Sequence, residues 1–361
     1  MSDFNANYLA VILGFFSFIA SVFGQWSPVD SGTTSNLTGA IVLDSGTVFV
    51  VGDTGTILKS TDAGATWAPL TSGTSAALHG IYFLDSNEGI AVGDSGTILR
   101  TTDGGAAWQS VTSGVVDTLR SVSFNGVNGI CGGDSQDILY STDSGASWQI
   151  GQSGFLGGGF LGAQMLSATT GFVAGQNSIF QPMLGATTDG GVSWNFQPFY
   201  FDGNEGGCND VFFFDQTTGL VSGTIFDGRG ALARTTDAGL NWSTALYDQP
   251  IEGLAFPTAA NGFAVGSTGR ILHSTDSGVT WTDQASGSSA NLHDVSFASD
   301  ALTGITVGDG GVILRTTSGG EPSPTPSPTP TATPIVTPRP TPTPRSRPTP
   351  KPRPTPPRLT R

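Results

Sequence analysis

The sequence VGDTGTILKSTDAGATW, residues 51–67, recurs almost unchanged as VGDSGTILRTTDGGAAW at residues 92–108. The last eight residues of each copy follow the pattern Ser/Thr-Thr-Asp-x-Gly-x-x-Trp, which occurs six times at intervals of roughly 40 to 48 residues. A seventh copy at residues 316–320 lacks the aspartate and the tryptophan. The aspartates of the six intact copies are Asp62, Asp103, Asp143, Asp189, Asp237 and Asp276. Such a period predicts a repeat architecture with one supersecondary unit per copy.

Each repeat contains four short runs with alternating apolar residues, separated by glycine-rich turns. In the second repeat these runs are residues 78–83, 89–93, 97–101 and 107–111, and Asp-Ser-Gly and Asp-Gly-Gly sequences lie between them. Turns of this composition join antiparallel strands. Four strands per repeat, repeated radially, are typical of the blades of a β-propeller. We therefore predict an all-β fold, a seven-bladed β-propeller over residues 25–320.

The two ends of this repeat region complement each other. The last repeat stops after its third strand, whereas residues 26–32, WSPVDSG, match residues 67–73, WAPLTSG. We expect the N-terminal strand to complete the seventh blade and close the ring, because closure removes the unpaired edges of an open arc. Trp26 is then the seventh tryptophan of the repeat.

The aspartates of the eight-residue pattern are predicted to be structural. A carboxylate or a Ser/Thr hydroxyl can accept N–H bonds within its own turn, and glycine allows a positive φ. Asp-x-Gly sequences also occur in calcium loops, but one carboxylate per copy is too few for a Ca²⁺ site. We predict no metal site and no cofactor.

The composition disfavours several classes of protein. Glycine contributes 52 of 361 residues and charged residues only 12%, which disfavours a helix-rich protein. The 28 Asp and Glu exceed the 14 Lys and Arg, and this acidic balance disfavours nucleic-acid binding. The two cysteines, Cys131 and Cys208, replace apolar residues in blades three and five, so we predict buried thiols and no disulfide.

The two ends of the chain differ from the repeats. Residues 1–24 include an uncharged apolar stretch, residues 8–24, which is typical of a cleaved signal peptide or of an uncleaved anchor. We therefore expect a secreted, periplasmic or cell-envelope protein. Residues 321–361 are rich in Pro, Thr and Arg, which predicts an extended, disordered tail. This tail is either an exported linker, with glycosylated threonines, or a basic tether to an anionic wall or membrane surface.

Blades four and five depart from the repeat in long loops on one face. The candidate binding residues in these loops are Phe180, Phe199, Tyr200, Phe201 and Arg229. The same loops also contain Phe155 and Phe160. Aromatic-rich insertions on one face often bind a partner, and the run of three aromatics at residues 199–201 is the predicted apolar anchor. The alternative is loop variation without a function.

A second candidate site lies where the inner strands begin. One repeat column there is apolar and predicted to be core; in blade four it holds Leu161. The next column is polar and differs between blades: it holds Thr38, His79, Arg120, Gly162, Asn209, Glu252 and His293. We expect this column to surround the central channel, as a ligand-binding rim or as a solvated channel mouth. A metal site at His79 and His293 is disfavoured because no third ligand is apparent.

These residues carry a resemblance to known families. The eight-residue pattern resembles the Asp-box, or bacterial neuraminidase repeat, and the longer pattern of residues 51–67 and 92–108 resembles the photosystem II assembly and stability factor family. The resemblance covers nearly all of residues 26–320. It implies a lumenal or periplasmic assembly factor that holds a membrane-protein segment through a basic patch. Only Lys59, Arg100 and Arg315, in consecutive blades, could form such a patch here, and no lipid-attachment cysteine follows the apolar stretch.

Three functions compete for the predicted propeller: a sialidase, a glycoside hydrolase of the xyloglucanase type and a non-catalytic scaffold. A sialidase needs three convergent arginines, a tyrosine nucleophile and an acid, whereas the basic residues here mostly share one repeat position. A glycoside hydrolase of the xyloglucanase type needs two propellers that flank a cleft. We therefore expect a monomeric, non-catalytic scaffold that binds a protein or an envelope polymer. It would contact a membrane only through its N-terminal segment or its basic tail. A genuine photosystem II assembly factor and a glycoside hydrolase are the alternatives.

Overall fold

The structure is a computed structural model that describes residues 25–151, 157–320, 349–351 and 353, except for the side chain of Gln136. The predicted signal peptide or anchor, Phe155 and nearly all of the predicted tail lie outside the described residues. Among the described residues, no helix has the length and hydropathy needed to cross a membrane.

The described chain forms seven antiparallel sheets of four strands each. This confirms the predicted all-β, seven-bladed propeller. The first strand, β1 (Ser27–Val29), belongs to the seventh sheet.

The strands of the first three blades follow in chain order. Blade one contains β2 (Leu37–Val42), β3 (Val48–Gly52), β4 (Thr56–Ser60) and β5 (Ala68–Leu70). Blade two contains β6 (Leu78–Phe83), β7 (Gly89–Gly93), β8 (Thr97–Thr101) and β9 (Gln109–Val111). Blade three contains β10 (Leu119–Asn125), β11 (Asn128–Gly133), β12 (Ile138–Ser141) and β13 (Gln149–Ile150).

The remaining four blades complete the ring. Blade four contains β14 (Gly159–Met165), β15 (Gly171–Gln176), β16 (Pro182–Thr187) and β17 (Asn195–Pro198). Blade five contains β18 (Gly206–Phe213), β19 (Gly219–Ile225), β20 (Gly230–Thr235) and β21 (Ser243–Tyr247). Blade six contains β22 (Ile251–Ala255), β23 (Gly262–Gly266), β24 (Arg270–Ser274) and β25 (Thr282–Gln284). Blade seven contains β26 (Leu292–Phe297), β27 (Gly304–Gly308) and β28 (Ile313–Thr316), together with β1.

The first and last strands of the described residues pair with each other. Ser27 lies opposite Arg315 and Val29 lies opposite Ile313 in the antiparallel ladder of β1 and β28. The innermost strands of consecutive blades are in contact around the ring, and β26 of blade seven contacts β2 of blade one. Every blade therefore packs between two others.

The hydrophobic core lies between neighbouring sheets rather than inside one of them. Between blades one and two, Phe49 and Phe83 stack with their ring centroids 4.2 Å apart, and Trp108 packs edge-on against Phe83. Trp26 is 2% exposed and packs edge-on against Phe263 of blade six and Phe297 of blade seven. The N-terminal tryptophan thus occupies the position of a repeat tryptophan.

The eight-residue pattern folds into one recurring turn. In the first copy the Ser60 hydroxyl donates to Asp62 Oδ1 at 2.8 Å and accepts the N–H of Gly64 at 2.8 Å, while Asp62 accepts the N–H of Thr66 at 2.8 Å. Gly64 has φ +81°, a conformation that favours glycine. The Thr66 hydroxyl also donates to Asp62, and this bond, followed by those from the Thr66 N–H and the Ser60 hydroxyl, lowers the pKa of Asp62 to about 2. The hydroxyl-to-carboxylate bond and the two bonds from backbone N–H groups recur in the other five copies, which supports a structural role for the six aspartates.

The two cysteines are free and buried in the core. Burial raises the pKa of both thiols far above its ordinary value, so neither is a nucleophile at neutral pH. The prediction of buried thiols without a disulfide is confirmed.

Candidate functional site

A β-bulge near the start of each innermost strand builds the mouth of the central channel. In every blade the ladder between the first and second strands skips one residue there. A bulge leaves its extra residue outside the ladder and redirects its side chain. The seven extra residues all line one cavity of about 250 Å³: they are Thr38, His79, Arg120, Leu161, Asn209, Glu252 and His293. Six of these residues belong to the predicted polar column, and Leu161 is the seventh.

Blade four corrects the predicted alignment by one residue. The ladder skips Leu161, between Phe160 and Gly162, so Leu161 lines the cavity. The core position falls to Phe160, which is fully buried. Leu161 is therefore a rim residue and Gly162 is not, because the bulge in blade four lies one position earlier than the predicted columns require.

Three of the rim residues are cations or histidines that pair with an aspartate of their own blade. His79 Nε2 lies 2.7 Å from Asp94 Oδ1, and His293 Nε2 lies 2.7 Å from Asp309 Oδ1. The bond from His79 lowers the pKa of Asp94 below its ordinary value. Each aspartate begins the short 3₁₀ turn between the second and third strands, which brings it beside the bulge.

The arginine of blade three makes the same kind of pair with two bonds. Arg120 donates to Asp134 through Nε, at 3.1 Å, and through Nη2, at 2.7 Å. This bidentate geometry is stronger and more specific than a single charged bond. The Arg120 charge is therefore already balanced within its own blade.

Two other rim residues link the innermost strands of adjacent blades. The Thr38 hydroxyl donates to the carbonyl of Leu78 at 2.6 Å, and the Asn209 amide donates to the carbonyl of Ile251 at 2.8 Å. Their polar groups are therefore used in holding the ring together.

Glu252 is the exception in this rim. Among the described residues its carboxylate has neither a hydrogen bond nor an ion pair. The short turn of blade six begins with Ser267, where blades one, two, three and seven have an aspartate. Burial raises the pKa of Glu252, an effect that nearby His293 opposes and Asp309 reinforces.

Two partly buried carboxylates line the cavity directly behind the rim. Asp210 accepts the N–H groups of Val211 and of Leu254 in the next blade, and Asp294 does the same with Val295 and Ala40. Burial raises the pKa of Asp210 to about 7, with a contribution from Asp294, and raises the pKa of Asp294 to about 6.

Neither of these aspartates was predicted from the sequence. Each directly follows a rim residue, at a position that four of the other five blades fill with glycine: these are Gly39, Gly80, Gly162 and Gly253. A carboxylate in a column of glycines was the available signal.

The predicted aromatic anchor of blades four and five is corrected by the structure. Phe201 is fully buried and Phe199 is 7% exposed, and both belong to the core between these two blades. Phe199 stacks on Trp242 with the ring centroids 4.6 Å apart. Only Tyr200, 48% exposed, points outward. The loop turns back at the bridge between Phe201 and Asn204, which directs its phenylalanines inward.

Another exposed aromatic pair occupies these loops instead. Phe180 and Phe226 pack edge-on with ring centroids 5.3 Å apart, and both are exposed. Phe226 was not predicted from the sequence. Arg229 lies close by in sequence and pairs with Asp227 at 2.8 Å. None of these residues lines the channel cavity, so the two predicted sites are not one pocket.

The basic residues that could have formed a patch hold adjacent blades together. Lys59 donates to the carbonyl of Gly104, and Arg100 to that of Ser144, each in the following blade. Arg315 of blade seven donates to the carbonyl of Ala63 in blade one. All three are partly buried, so they do not form an exposed cationic arc.

Comparison with known proteins gives one family match and several similar folds. Residues 66–154, about a quarter of the chain, match the family "Photosynthesis system II assembly factor YCF48". No curated protein sequence matches the chain.

Among solved structures, the chain is similar to "YCF48 bound to D1 peptide", with a TM-score of 0.65 and 21% identity over 82% of this chain and 98% of that one. The YCF48 of Cyanidioschyzon merolae gives a TM-score of 0.64 and 20% identity over 81% and 98% of the two chains. The GH74 enzyme of Niastella koreensis gives a TM-score of 0.61 and 16% identity over 80% of this chain but only 53% of that enzyme. At these identities the likeness concerns the fold alone.

Proposed function

We propose that this propeller is a non-catalytic binding protein that holds a segment of another protein at the mouth of its channel. The observation that carries the proposal is the rim of seven bulge residues, which gives one cavity side chains of six different types on a rigid ring. A rigid scaffold with variable polar side chains is suited to recognition. The family match at residues 66–154, and the structure of YCF48 with a D1 peptide, support a protein partner rather than a small molecule.

A role as a glycoside hydrolase has less support. The fold is shared with GH74 enzymes, and three carboxylates line the cavity. General acid and base catalysis requires carboxyl oxygens that can reach the substrate. Both oxygens of Asp210 and both of Asp294 are occupied by backbone N–H donors, which leaves Glu252 alone.

A genuine role in photosystem II assembly is the second candidate, and the family match favours it. The basic patch that the family resemblance implies is used here in contacts between blades. We therefore propose a partner that this rim selects, without assigning it to the photosystem.

We further propose that the protein acts outside the cytoplasm. The apolar stretch of residues 8–24 supports export, and the seven basic residues among residues 322–361 support a tether to an anionic surface.

Site-specific photocrosslinking in cells tests the binding proposal. A photoreactive phenylalanine analogue at Leu161 lies in the cavity and disrupts no polar contact. The matched control carries the analogue at Val279, which is 62% exposed in an eight-residue turn on the opposite face. We expect a crosslinked polypeptide from position 161 and none from position 279. Crosslinks from position 279 alone, or turnover of a glycoside by the purified protein, would contradict the proposal.

A further inference from the structure

At the channel mouth, the negative groups that lack an ion-pair partner outnumber the positive ones. Its positive or ionisable basic groups, His79, Arg120 and His293, each face an aspartate of their own blade. Glu252 has no such partner among the described residues. Asp210 and Asp294 lie behind it in the same cavity. The local field therefore favours a cation.

Two residues of blade six produce this imbalance of charge. The rim position is occupied by an acid, Glu252, and the turn position that supplies an aspartate elsewhere is occupied by Ser267. A carboxylate that is partly removed from water and lacks a partner is costly for the folded protein. Such a cost is recovered when a ligand supplies the missing charge.

The cavity also suits the shape of a basic side chain. Its wall includes the apolar residues Ile81, Val122 and Leu161. Lysine and arginine combine an aliphatic stem with a charged end, so the stem can contact these residues while the charge approaches Glu252.

We propose that the channel mouth binds a lysine or arginine side chain of the partner, with Glu252 as the acceptor of its charged group. This inference rests on the proposed function, because it names the residue class that the bound segment must present. The basic side chain enters between Leu161 and Glu252 and forms the ion pair that blade six lacks.

Calorimetric titration of the full-length protein with blocked amino acids tests the inference. The probes are N-acetyl-arginine N-methylamide and its lysine and norleucine counterparts, and calcium chloride tests a metal cation. We expect arginine and lysine to bind at least tenfold more tightly than norleucine, which has a similar stem without the charge. Glu252→Gln should weaken the binding of arginine about tenfold and leave norleucine unchanged.

Two further variants provide controls. Glu205→Gln removes an exposed carboxylate outside the cavity, and it should leave every titration unchanged. The double variant Glu252→Arg/Ser267→Asp rebuilds the pair of blade three and should abolish binding of both basic probes. Circular dichroism melts establish that each variant is folded.

Some outcomes would overturn the inference. Equal binding of norleucine and arginine, or unchanged arginine binding by folded Glu252→Gln, would exclude a cation site at Glu252. Calcium binding that depends on Glu252, with no binding of the basic probes, would replace it with a metal site. Crosslinking from position 161 is a separate readout. If a polypeptide is crosslinked there but the titrations show no preference for the basic probes, the proposed function stands and only this inference is rejected.

Discussion

Glu252 and Ser267 occupy, in blade six, the two positions that the Arg120–Asp134 ion pair occupies in blade three. One blade thus balances its rim charge internally, and the other leaves a carboxylate facing the channel. Because the repeated backbone is the same, the difference is confined to side chains. The ring can therefore alter its recognition properties without altering its fold.

The unpaired carboxylate should reduce stability in a pH-dependent way. Burial raises the pKa of Glu252 above its ordinary value of 4.5, so the folded protein holds this proton more tightly than the unfolded chain and loses stability as the pH rises through the raised pKa. We expect Glu252→Gln to raise the free energy of unfolding by up to about 1 kcal/mol at pH 8 and to have little effect at pH 4. Urea unfolding at both pH values measures this difference. A loss of stability at pH 8 would show that Glu252 has a stabilising partner.

The two partly buried aspartates, Asp210 and Asp294, should produce a second pH effect. Burial raises the pKa of Asp294 from 3.8 to about 6. The ionisable groups that interact with Asp294 are Asp210 and His293. As the pH rises from 4 to 7, the free energy of unfolding of the wild-type protein should therefore decrease. The contribution of Asp294 to this decrease should end near pH 6. Asp294→Asn should flatten this slope in urea titrations. Asp276→Asn is the control, since the pKa of exposed Asp276 is about 2 and lies below the window. An unchanged slope in Asp294→Asn would indicate that another group titrates.

The recurring turn should depend more on its hydroxyl than on its carboxylate. Thr235 is buried, donates to Asp237 and accepts the buried N–H of Gly239 at 2.9 Å. Thr235→Val keeps the shape but leaves that N–H unsatisfied, at a cost of about 1–3 kcal/mol. Asp237→Ala removes bonds that water can replace, so its cost should be smaller. Chemical denaturation of both variants gives the order, and a reversed order would assign the main role to the carboxylate. The seventh copy agrees with this expectation, because Thr316 still accepts the N–H of Gly320 there without an aspartate.

The aromatic run of residues 199–201 should divide into core and surface. Phe201→Ala removes a fully buried ring and should cost about 3–5 kcal/mol. Tyr200→Ala changes a half-exposed side chain and should stay within about 0.5 kcal/mol. Thermal or urea unfolding separates these values. Similar effects of the two substitutions would mean that the loop does not pack as the structure describes.

The sequence predicted the ring because the ring depends on repeated local features. Six copies of one turn, four strands per copy and the match of residues 26–32 to residues 67–73 all agree. Six of the seven residues in the predicted polar column line the cavity for the same reason, since all of them occupy the same position of the repeat.

The errors lie where the repeat is interrupted. In blade four the bulge falls at Leu161 rather than at Gly162, because long glycine-rich connections leave the register of the strand unspecified by the pattern. A run of three aromatics in the sequence also does not determine which way each ring points. The bridge between Phe201 and Asn204 and the stacking on Trp242 determine these orientations in the folded protein. The partner of each rim residue also depends on the neighbouring strand, so the isolation of Glu252 was visible only in the structure.

The pairing of β1 with β28 leads to the last prediction. Deletion of residues 25–32 should remove the strand opposite Ile313 and Arg315, together with the buried indole of Trp26 and its bond to Gln284 at 3.0 Å. We expect a loss of several kcal/mol in the free energy of unfolding, since burial of a large aromatic alone contributes about 3–5 kcal/mol, and faster aggregation through the exposed edge of β28. A truncation that removes only residues 1–24 is the matched control and should unfold like the full chain. Addition of a synthetic peptide of residues 25–33 should restore part of the lost stability, because it can pair with β28 in trans. Equal melting temperatures of the protein that lacks residues 25–32 and the protein that lacks residues 1–24 would show that the N-terminal strand does not support the ring.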